Sequence, residues 1–192
     1  MKGYFSVILH AHLPYVRHPE YEEFLEEDWL YEAISETYIP LLNMFENLTR
    51  DKVPWHITMT LSGTLANMLN DALLRSRYEQ SLNKSLEFCK QELERLKDQE
   101  DMLKVAYHNL NFFKKAKESF LRYNGDLVGA FRKFQDSGNL EIIPVTATHG
   151  FLPFMKDFPE AVNAQILMAK EDYKNNFGVD PRGIWLAECA YY

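Results

Sequence analysis

The residues of this 192-residue sequence that could do chemistry are three histidines and a glutamate, each placed shortly after an apolar run: His10, His12, His149 and Glu188. A glutamate can act as a nucleophile or as a general acid or base, and an imidazole can donate, accept or transfer a proton. Parallel strands end at the same side of a sheet, so side chains that follow them meet there although they are distant in sequence. The sequence therefore predicts one shared polar site.

The apolar runs are typical of strands, and the segments between them are typical of helices. Runs of apolar and β-branched residues occupy 4–9, 56–61, 140–145 and 183–186. Apolar residues recur at helical spacing over 29–48, 64–69, 127–134 and 159–177. A kink is expected at Pro40, because proline cannot donate the helical hydrogen bond. This alternation predicts an α/β fold with about four parallel strands that are buried on both faces.

Residues 78–123 follow a different pattern, with apolar residues every three or four positions in a Lys/Glu-rich background. The pattern indicates two long helices with a break near 98–101 and an end at Asn124 and Gly125. Two interpretations are a coiled-coil arm that joins two copies and a pair of helices packed within one chain beside the sheet. The second is preferred because the stripe covers few heptads. The long helical insertion is expected to span about 64–125.

The pair His10 and His12 allows three interpretations. Two histidines one residue apart at a strand end are a common pair of metal ligands, and His149 with Glu188 could complete such a site. Neutral imidazoles are also good hydrogen-bond partners for sugar hydroxyls. Because strand side chains alternate, one of the two could instead be a hydrogen-bonded core residue. Sugar binding or support of the site is preferred, since no aspartate lies near the pair.

Aromatic residues flank Glu188, with Trp185 before it and Tyr191 and Tyr192 after it. Aromatic faces stack against sugar rings and shield a carboxylate from water. The alternative is a surface carboxylate at the start of a loop. The flanking rings favour a catalytic Glu188, with Trp185 and Tyr191 among the residues that bind substrate.

Composition and charge limit the partners of the chain. Its 28 acidic and 21 basic residues give a net charge of -7, which argues against a nucleic-acid-binding surface. Cys89 and Cys189 have no zinc-ligand spacing and suggest no disulfide framework, so a reduced, cytoplasmic location is expected. No run approaches the roughly 20 apolar residues of a membrane span, so no membrane partner is expected.

Four stretches together carry a resemblance to a known family. They are LHAHLPYVRHPE (9–20), EEDWLYEAISETYIPLL (26–42), GNLEIIPVTATHGFLP (138–153) and GIWLAECAYY (183–192). In order and spacing they resemble the N-terminal part of glycoside hydrolase family 57, most closely its α-1,4-glucan branching enzyme group. The similarity runs over the whole chain, and the helical region 64–123 is its least diagnostic part.

The resemblance implies a fold and a set of roles. The family has an incomplete (β/α)7 barrel, so residues 1–192 are expected to form the N-terminal part of such a catalytic domain, without the later strands and the C-terminal helical domain. Glu188 matches the family's catalytic nucleophile. His10, His12 and His149 match residues that line the donor-sugar subsite. The implied substrate is an α-1,4-glucan such as amylose or a glycogen-like chain, and no metal or organic cofactor is implied.

The family's general acid is an aspartate in a later motif, and no such motif occurs in this sequence. We therefore expect the 192 residues alone to be an inactive, poorly soluble portion of a longer enzyme. Branching, α-amylase and 4-α-glucanotransferase activities stay open, because they differ in the acceptor. A metal-dependent deacetylase that uses the three histidines, and a glucan-binding or helix-mediated interaction module, are the alternatives from other classes. The sequence does not indicate the oligomeric state.

Overall fold

The computed structural model describes residues 3–192, which form two compact units. The strand unit comprises residues 3–16, 48–70 and 128–192 of the described chain, and the helical unit comprises 17–47 and 71–127. In chain order the elements are β1 (Ile8–Leu9), α1 (Glu27–Ala33), α2 (Ile39–Arg50), β2 (Ile57–Thr60), α3 (Gly63–Asn70), α4 (Ala72–Arg95), α5 (Glu100–Arg122), α6 (Leu127–Asp136), β3 (Leu140–Ile143) and α7 (Pro159–Phe177).

The strand unit is built on a three-stranded parallel sheet in the order β1, β2, β3. Ile8 lies opposite Thr58, and Ile57 lies opposite Leu140. The side chains of Leu140 and Ile142 are buried, as expected for apolar residues of a parallel strand. The predicted α/β arrangement with a parallel sheet is therefore confirmed for three strands.

The first strand is much shorter than the apolar run that predicts it. Only Ile8 and Leu9 pair with β2, while Tyr4 and Phe5 are 102% and 91% exposed. Within residues 3–192, β1 has a paired neighbour on one side alone. A run of continuous apolar residues needs covered faces and two neighbours to be buried, so the prediction that 4–9 is buried on both faces is wrong for the described structure.

A fourth strand over 183–186 is not formed. One parallel bridge joins Val145 to Trp185, and the Trp185 amide donates to the carbonyl of Pro144 at 2.9 Å. Pro144 itself has no N–H to donate, so β3 ends before it and the ladder does not extend. Within residues 3–192, the prediction of about four strands is therefore corrected to three strands and an isolated bridge.

The helix predicted over 29–48 is present as α1 and α2, joined by a π-helical turn at Ile34–Tyr38. The Ile39 amide donates to the carbonyl of Ile34, five residues back. Pro40 cannot donate, and its ring crowds the carbonyl four residues earlier. A π turn widens the helix at that point and accommodates the proline. The expected kink thus takes the form of a wide turn just before Pro40.

The long helices α4 and α5 pack against each other within the helical unit. Their shared apolar stripe is buried at Leu82, Cys89, Ala106 and Leu110. After α5 the chain turns through Asn124 and Gly125, which have φ values of 53 and 70. The interpretation as two helices packed within one chain is confirmed, whereas the extent of the insertion, 64–125, stays a prediction.

Helix α3 begins at a capping residue, and α7 ends at one. The hydroxyl of Ser62 accepts a hydrogen bond from the Leu65 amide at 3.3 Å and caps the start of α3. Helix α7 starts at Pro159 and is followed by Gly178, which has a φ of 76 and ends it. In the described part of the chain, the helices are too short or too polar to cross a membrane.

Candidate active site

The predicted site residues lie at the carboxyl side of the sheet. His10 directly follows β1, and His12 comes two positions later, so the two side chains leave the extended backbone on the same side. His149 lies in the loop after β3. Trp185 belongs to the segment bridged to Val145, and Glu188 follows it in a 3₁₀ turn, Ala187–Cys189.

The three histidines form one cluster of rings. The Nε2 atoms of His10 and His149 are 3.0 Å apart, within hydrogen-bond distance. The rings of His12 and His149 stack, with centroids 3.9 Å apart and an angle of 11° between the ring planes. The ring centroid of Trp185 lies 6.2 Å from that of His10. The structure thus brings together residues from both ends of the sequence.

Hydroxyl groups at the end of β2 contact Nδ1 of His10 and of His12. Thr60 Oγ1 lies 2.8 Å from His10 Nδ1, and Ser62 Oγ lies 2.9 Å from His12 Nδ1. Both hydroxyl residues are fully buried. Sequence reasoning identified neither Thr60 nor Ser62 as a site residue. The signal that could have found them is a second polar pair with spacing two, at the end of the neighbouring strand.

Hydrogen bonds from Gln165 of α7 hold the loop that carries His149. The Thr148 amide donates to Oε1 of Gln165 at 3.0 Å, and Nε2 of Gln165 donates to Thr148 Oγ1 at 2.9 Å. The hydroxyl of Thr146, which is fully buried, donates to the carbonyl of Gly150 at 3.1 Å. These bonds hold His149 in left-handed backbone, with a φ of 56. Gln165 and the two threonines are further site residues that sequence reasoning did not identify.

The cluster disfavours protonation of His10 and His12. Burial lowers the pKa of His12 from 6.5 to about 4, with further lowering by the nearby His149 and His10. Burial and then His149 lower the pKa of His10 below 6.5, although Glu188 acts in the opposite direction. At neutral pH both rings are therefore neutral, and they serve as hydrogen-bonding groups rather than as cations.

The ring geometry does not fit the metal-ligand interpretation. The nitrogens of His12 and His149 lie in two nearly parallel stacked planes, so their lone pairs do not converge on one point. The His10 nitrogens are both within hydrogen-bond distance of other groups, Thr60 and His149. Within residues 3–192, no group of three or more His, Cys, Asp or Glu residues is arranged to hold a metal ion.

Glu188 lies in an unusual turn beside the cluster. Its φ is 54, and the φ of Cys189 is 55, so two consecutive non-glycine residues adopt left-handed backbone. Such backbone costs about 1 to 2 kcal/mol per residue and is found most often at functional sites. The side chain of Glu188 is exposed, and its charge acts on His10. The turn therefore presents the carboxylate to solvent at the edge of the histidine cluster.

The remaining predicted residue, Tyr191, lies outside the ring cluster. Its side chain is 87% exposed, and the neighbouring Tyr192 is 55% exposed. Trp185, by contrast, is partly buried and close to His10. The described structure thus gathers His10, His12, His149, Trp185 and Glu188, and does not bring Tyr191 into contact with them.

Comparison with known proteins connects this arrangement to one family. The sequence pattern of glycosyl hydrolase family 57 matches residues 6–192. A 1,4-alpha-glucan branching enzyme of Thermococcus kodakarensis is 41% identical over 192 residues, which are 100% of this chain and 28% of that protein. The chain thus spans less than a third of the length of this curated relative.

Two solved structures are similar to this chain over its full length. The crystal structure of the alpha-amylase AmyC from Thermotoga maritima superposes with a TM-score of 0.95 at 44% identity, over 100% of this chain and 36% of that one. That of a GH57-type branching enzyme from Pyrococcus horikoshii superposes with a TM-score of 0.93 at 37% identity, over 100% and 36%. With a family pattern that extends from before His10 to beyond Glu188, the chain belongs to glycosyl hydrolase family 57.

Proposed function

We propose that this chain provides the donor-sugar side of a retaining enzyme that acts on α-1,4-glucans, with Glu188 as the nucleophile. The observation that carries the proposal is an exposed carboxylate, in strained backbone, next to a cluster of three imidazoles in which the pKa values of His10 and His12 are lowered. Family membership supports it, and so does the substrate named for the branching enzyme relative.

The chemistry would proceed in two displacements. The Glu188 carboxylate attacks the anomeric carbon of a glucose unit, the bond from that carbon to the glycosidic oxygen breaks, and a carboxylic acid gives this oxygen a proton. A covalent glycosyl-enzyme results. An acceptor hydroxyl or water then attacks the same carbon, loses its proton to the second carboxylate and releases Glu188.

The histidines and Trp185 would bind and orient the sugar. A neutral imidazole can donate and accept hydrogen bonds, which suits the hydroxyls of a sugar ring. Both nitrogens of His10 contact Thr60 and His149, so His10 would act by orienting His149. His12 and His149 would offer their remaining nitrogens to the sugar. The indole ring of Trp185, 6.2 Å from His10, offers an apolar face beside them. Tyr191 is proposed as a further substrate contact because its aromatic ring follows Glu188 in the sequence, and the exposed ring is free to meet a sugar.

The second carboxyl group is proposed to come from outside these 192 residues. Within residues 3–192, Glu188 is the one carboxylate whose charge acts on His10 or His12. A retaining enzyme needs its two carboxyl groups about 5 to 5.5 Å apart. We therefore propose that the sheet is part of a (β/α)7 barrel whose later strands supply an aspartate as the acid, and that the 192 residues alone are inactive.

Three reactions share this first step. Attack by a 4-hydroxyl of another chain would give a disproportionated chain, as in a 4-α-glucanotransferase. Attack by a 6-hydroxyl of another chain would form a branch, and attack by water would give hydrolysis. The branching enzyme is 41% identical and the alpha-amylase 44% identical, so identity favours neither strongly. Branching is our first candidate. The intact protein, meaning these residues together with the later strands proposed above, should form α-1,6 linkages and lower the iodine staining of amylose. An amylase would instead mainly release reducing ends.

The nucleophile can be tested in the intact protein. The Glu188→Gln variant should lose more than about a thousandfold in kcat, because no carboxylate remains to form the covalent intermediate. The smaller Glu188→Ala variant should regain part of the activity with azide, an external nucleophile that attacks the anomeric carbon directly. Glu171→Gln, an exposed change on α7, serves as the control. Retained turnover in Glu188→Gln would remove Glu188 from the mechanism.

A further inference from the structure

Two polar pairs on neighbouring strands lie in register at the site. Ile8 lies opposite Thr58 and Leu9 opposite Met59, and the same register continued beyond β1 sets His10 beside Thr60 and His12 beside Ser62. The Ser62 amide donates to the Ala11 carbonyl at 3.1 Å, so the two segments stay paired there. A buried hydroxyl consequently lies at Nδ1 of each of the two histidines: that of Thr60 at His10 and that of Ser62 at His12.

The proton of the Thr60 hydroxyl determines the tautomer of His10. Thr60 Oγ1 accepts a hydrogen bond from the Ala11 amide at 3.0 Å. Within the described structure, the acceptor left for its own proton is His10 Nδ1 at 2.8 Å. A buried hydroxyl without an acceptor is costly, so Nδ1 of His10 must be unprotonated. Neutral His10 then carries its proton on Nε2 and donates it to Nε2 of His149, 3.0 Å away.

The hydroxyl pair beside His12 leads to the opposite tautomer. The Thr64 hydroxyl donates to the carbonyl of Leu13 at 3.0 Å, so its oxygen is left as an acceptor, with Ser62 Oγ 3.1 Å away and His12 Nδ1 3.4 Å away. The Ser62 hydroxyl therefore donates its hydrogen bond to Thr64. The same oxygen accepts from the Leu65 amide at 3.3 Å and from His12 Nδ1 at 2.9 Å. All of these bonds are satisfied together when neutral His12 carries its proton on Nδ1.

We propose that Thr60 and Ser62 are positioning residues that hold His10 and His12 in opposite tautomers, with the proton on Nε2 of His10 and on Nδ1 of His12. His149, which accepts from His10 on Nε2, then carries its proton on Nδ1. The cluster presents a fixed set of donors and acceptors, with Nε2 of His12 as a bare acceptor for a hydroxyl. The proton positions stand without the proposed function, whereas their effect on catalysis rests on it.

The tautomers can be read directly by NMR. Long-range ¹H–¹⁵N correlation spectra of the ¹⁵N-histidine-labelled protein at pH 7.5 distinguish protonated from unprotonated ring nitrogens, and His10→Gln and His12→Gln spectra assign the signals. We expect Nε2–H for His10 and Nδ1–H for His12 and His149. The opposite tautomer at His10 or His12 in the unsubstituted protein would overturn the proposal before any hydroxyl variant is made.

A matched pair of variants at position 60 separates hydroxyl from shape. Thr60→Val keeps the volume and removes the hydroxyl, and should shift His10 to a mixture of tautomers. Thr60→Ser keeps the hydroxyl and should retain the Nε2–H form. If Thr60→Ser loses that form as Thr60→Val does, the hydroxyl does not set the tautomer and the proposal fails.

The effect on the reaction is measured in the intact protein. Thr60→Val should lower kcat by about 5- to 10-fold, the size expected when one hydrogen bond that orients a side chain is lost, and Thr60→Ser should recover most of it. Equal activity of Thr60→Val and the unsubstituted protein would overturn the positioning role. An active Glu188→Gln variant would instead contradict the proposed function, and it would leave the NMR assignment unaffected.

Discussion

Two turns at the carboxyl side of the sheet hold non-glycine residues in left-handed backbone, and they are supported in different ways. His149 has a φ of 56, and Glu188 has a φ of 54. The His149 loop is tied by the Thr146 hydroxyl and by Gln165 of α7. The Glu188 turn, within residues 3–192, is held by its own backbone bonds, and its side chain is exposed.

The His149 loop is therefore held by other elements of the fold, whereas the Glu188 turn is held by its own backbone. Strained backbone persists where the surroundings over-determine it, and the His149 loop has side-chain bonds from another element for that purpose. The carboxylate of Glu188 has none among the described residues. We therefore expect changes around the histidines to alter stability, and changes at Glu188 to alter activity with little effect on stability.

The largest change in the free energy of unfolding is expected when the pH is lowered, because His10 and His12 are then both protonated in the unfolded chain. Both have a folded pKa below 6.5, about 4 for His12, so the unfolded chain takes up protons that the folded chain refuses. This contribution to stability is complete above about pH 6.5 and is lost as the pH falls towards 4. Urea unfolding at pH 7.5 and 4.5 should show it as a decrease in the free energy of unfolding.

The control for this prediction is His12→Asn, whose amide can still donate to Ser62. The decrease between pH 7.5 and 4.5 should be smaller in this variant than in the unsubstituted protein. An equal or larger decrease would show that the neutral histidine pair is not the source of the acid sensitivity.

An intermediate effect is expected at Gly150, next to His149. A Cβ there would lie 2.8 Å from Met155 Cε and 3.2 Å from Gln165 Cδ, and Gln165 cannot move without releasing Thr148. Gly150→Ala should lower the free energy of unfolding by about 1 to 3 kcal/mol, as overpacking does. Urea unfolding at pH 7.5 measures this loss.

Gly183 provides the matched control in the segment that leads to Glu188. A Cβ at Gly183 meets no atom within 4 Å, so Gly183→Ala should change the free energy of unfolding by less than about 0.5 kcal/mol. If the two glycine variants are destabilised equally, the proposed contrast between the loops is wrong.

The smallest effect on stability is expected for Glu188→Gln, because the side chain is exposed and has no bond to lose. The free energy of unfolding should stay within about 0.5 kcal/mol of the original. The pKa of His10 should nevertheless fall further, since Glu188 raises it. NMR titration of His10 measures this shift, and an unchanged titration would mean that the carboxylate does not act on the cluster.

Local patterns in the sequence were enough to predict the helices. Apolar spacing from Pro159 onwards predicts a helix over 159–177, which agrees with α7. The break predicted near 98–101 lies at 96–99, two residues earlier, and the turn at Asn124 and Gly125 is present. Caps, glycines and prolines act through the backbone within a few residues, so their effects can be inferred without the rest of the fold.

Strand length could not be predicted in the same way. The runs 4–9 and 183–186 have the composition of strands, yet they form two paired residues and one bridge. A strand exists only where a neighbour offers its N–H and C=O groups, and that neighbour is far away in sequence. Composition therefore indicated which segments can pair, and not how many of their residues do.

The candidate site shows the same division. Residue types, strand-end positions and the resemblance were sufficient to select His10, His12, His149 and Glu188 from the sequence. The stacking of His12 on His149, the hydroxyl partners Thr60 and Ser62, and the clamp by Gln165 depend on register and on helix packing. The sequence alone determines which chemical groups are present. Distances of 3 to 4 Å between residues more than a hundred positions apart arise only when the sheet forms and brings its strand ends together.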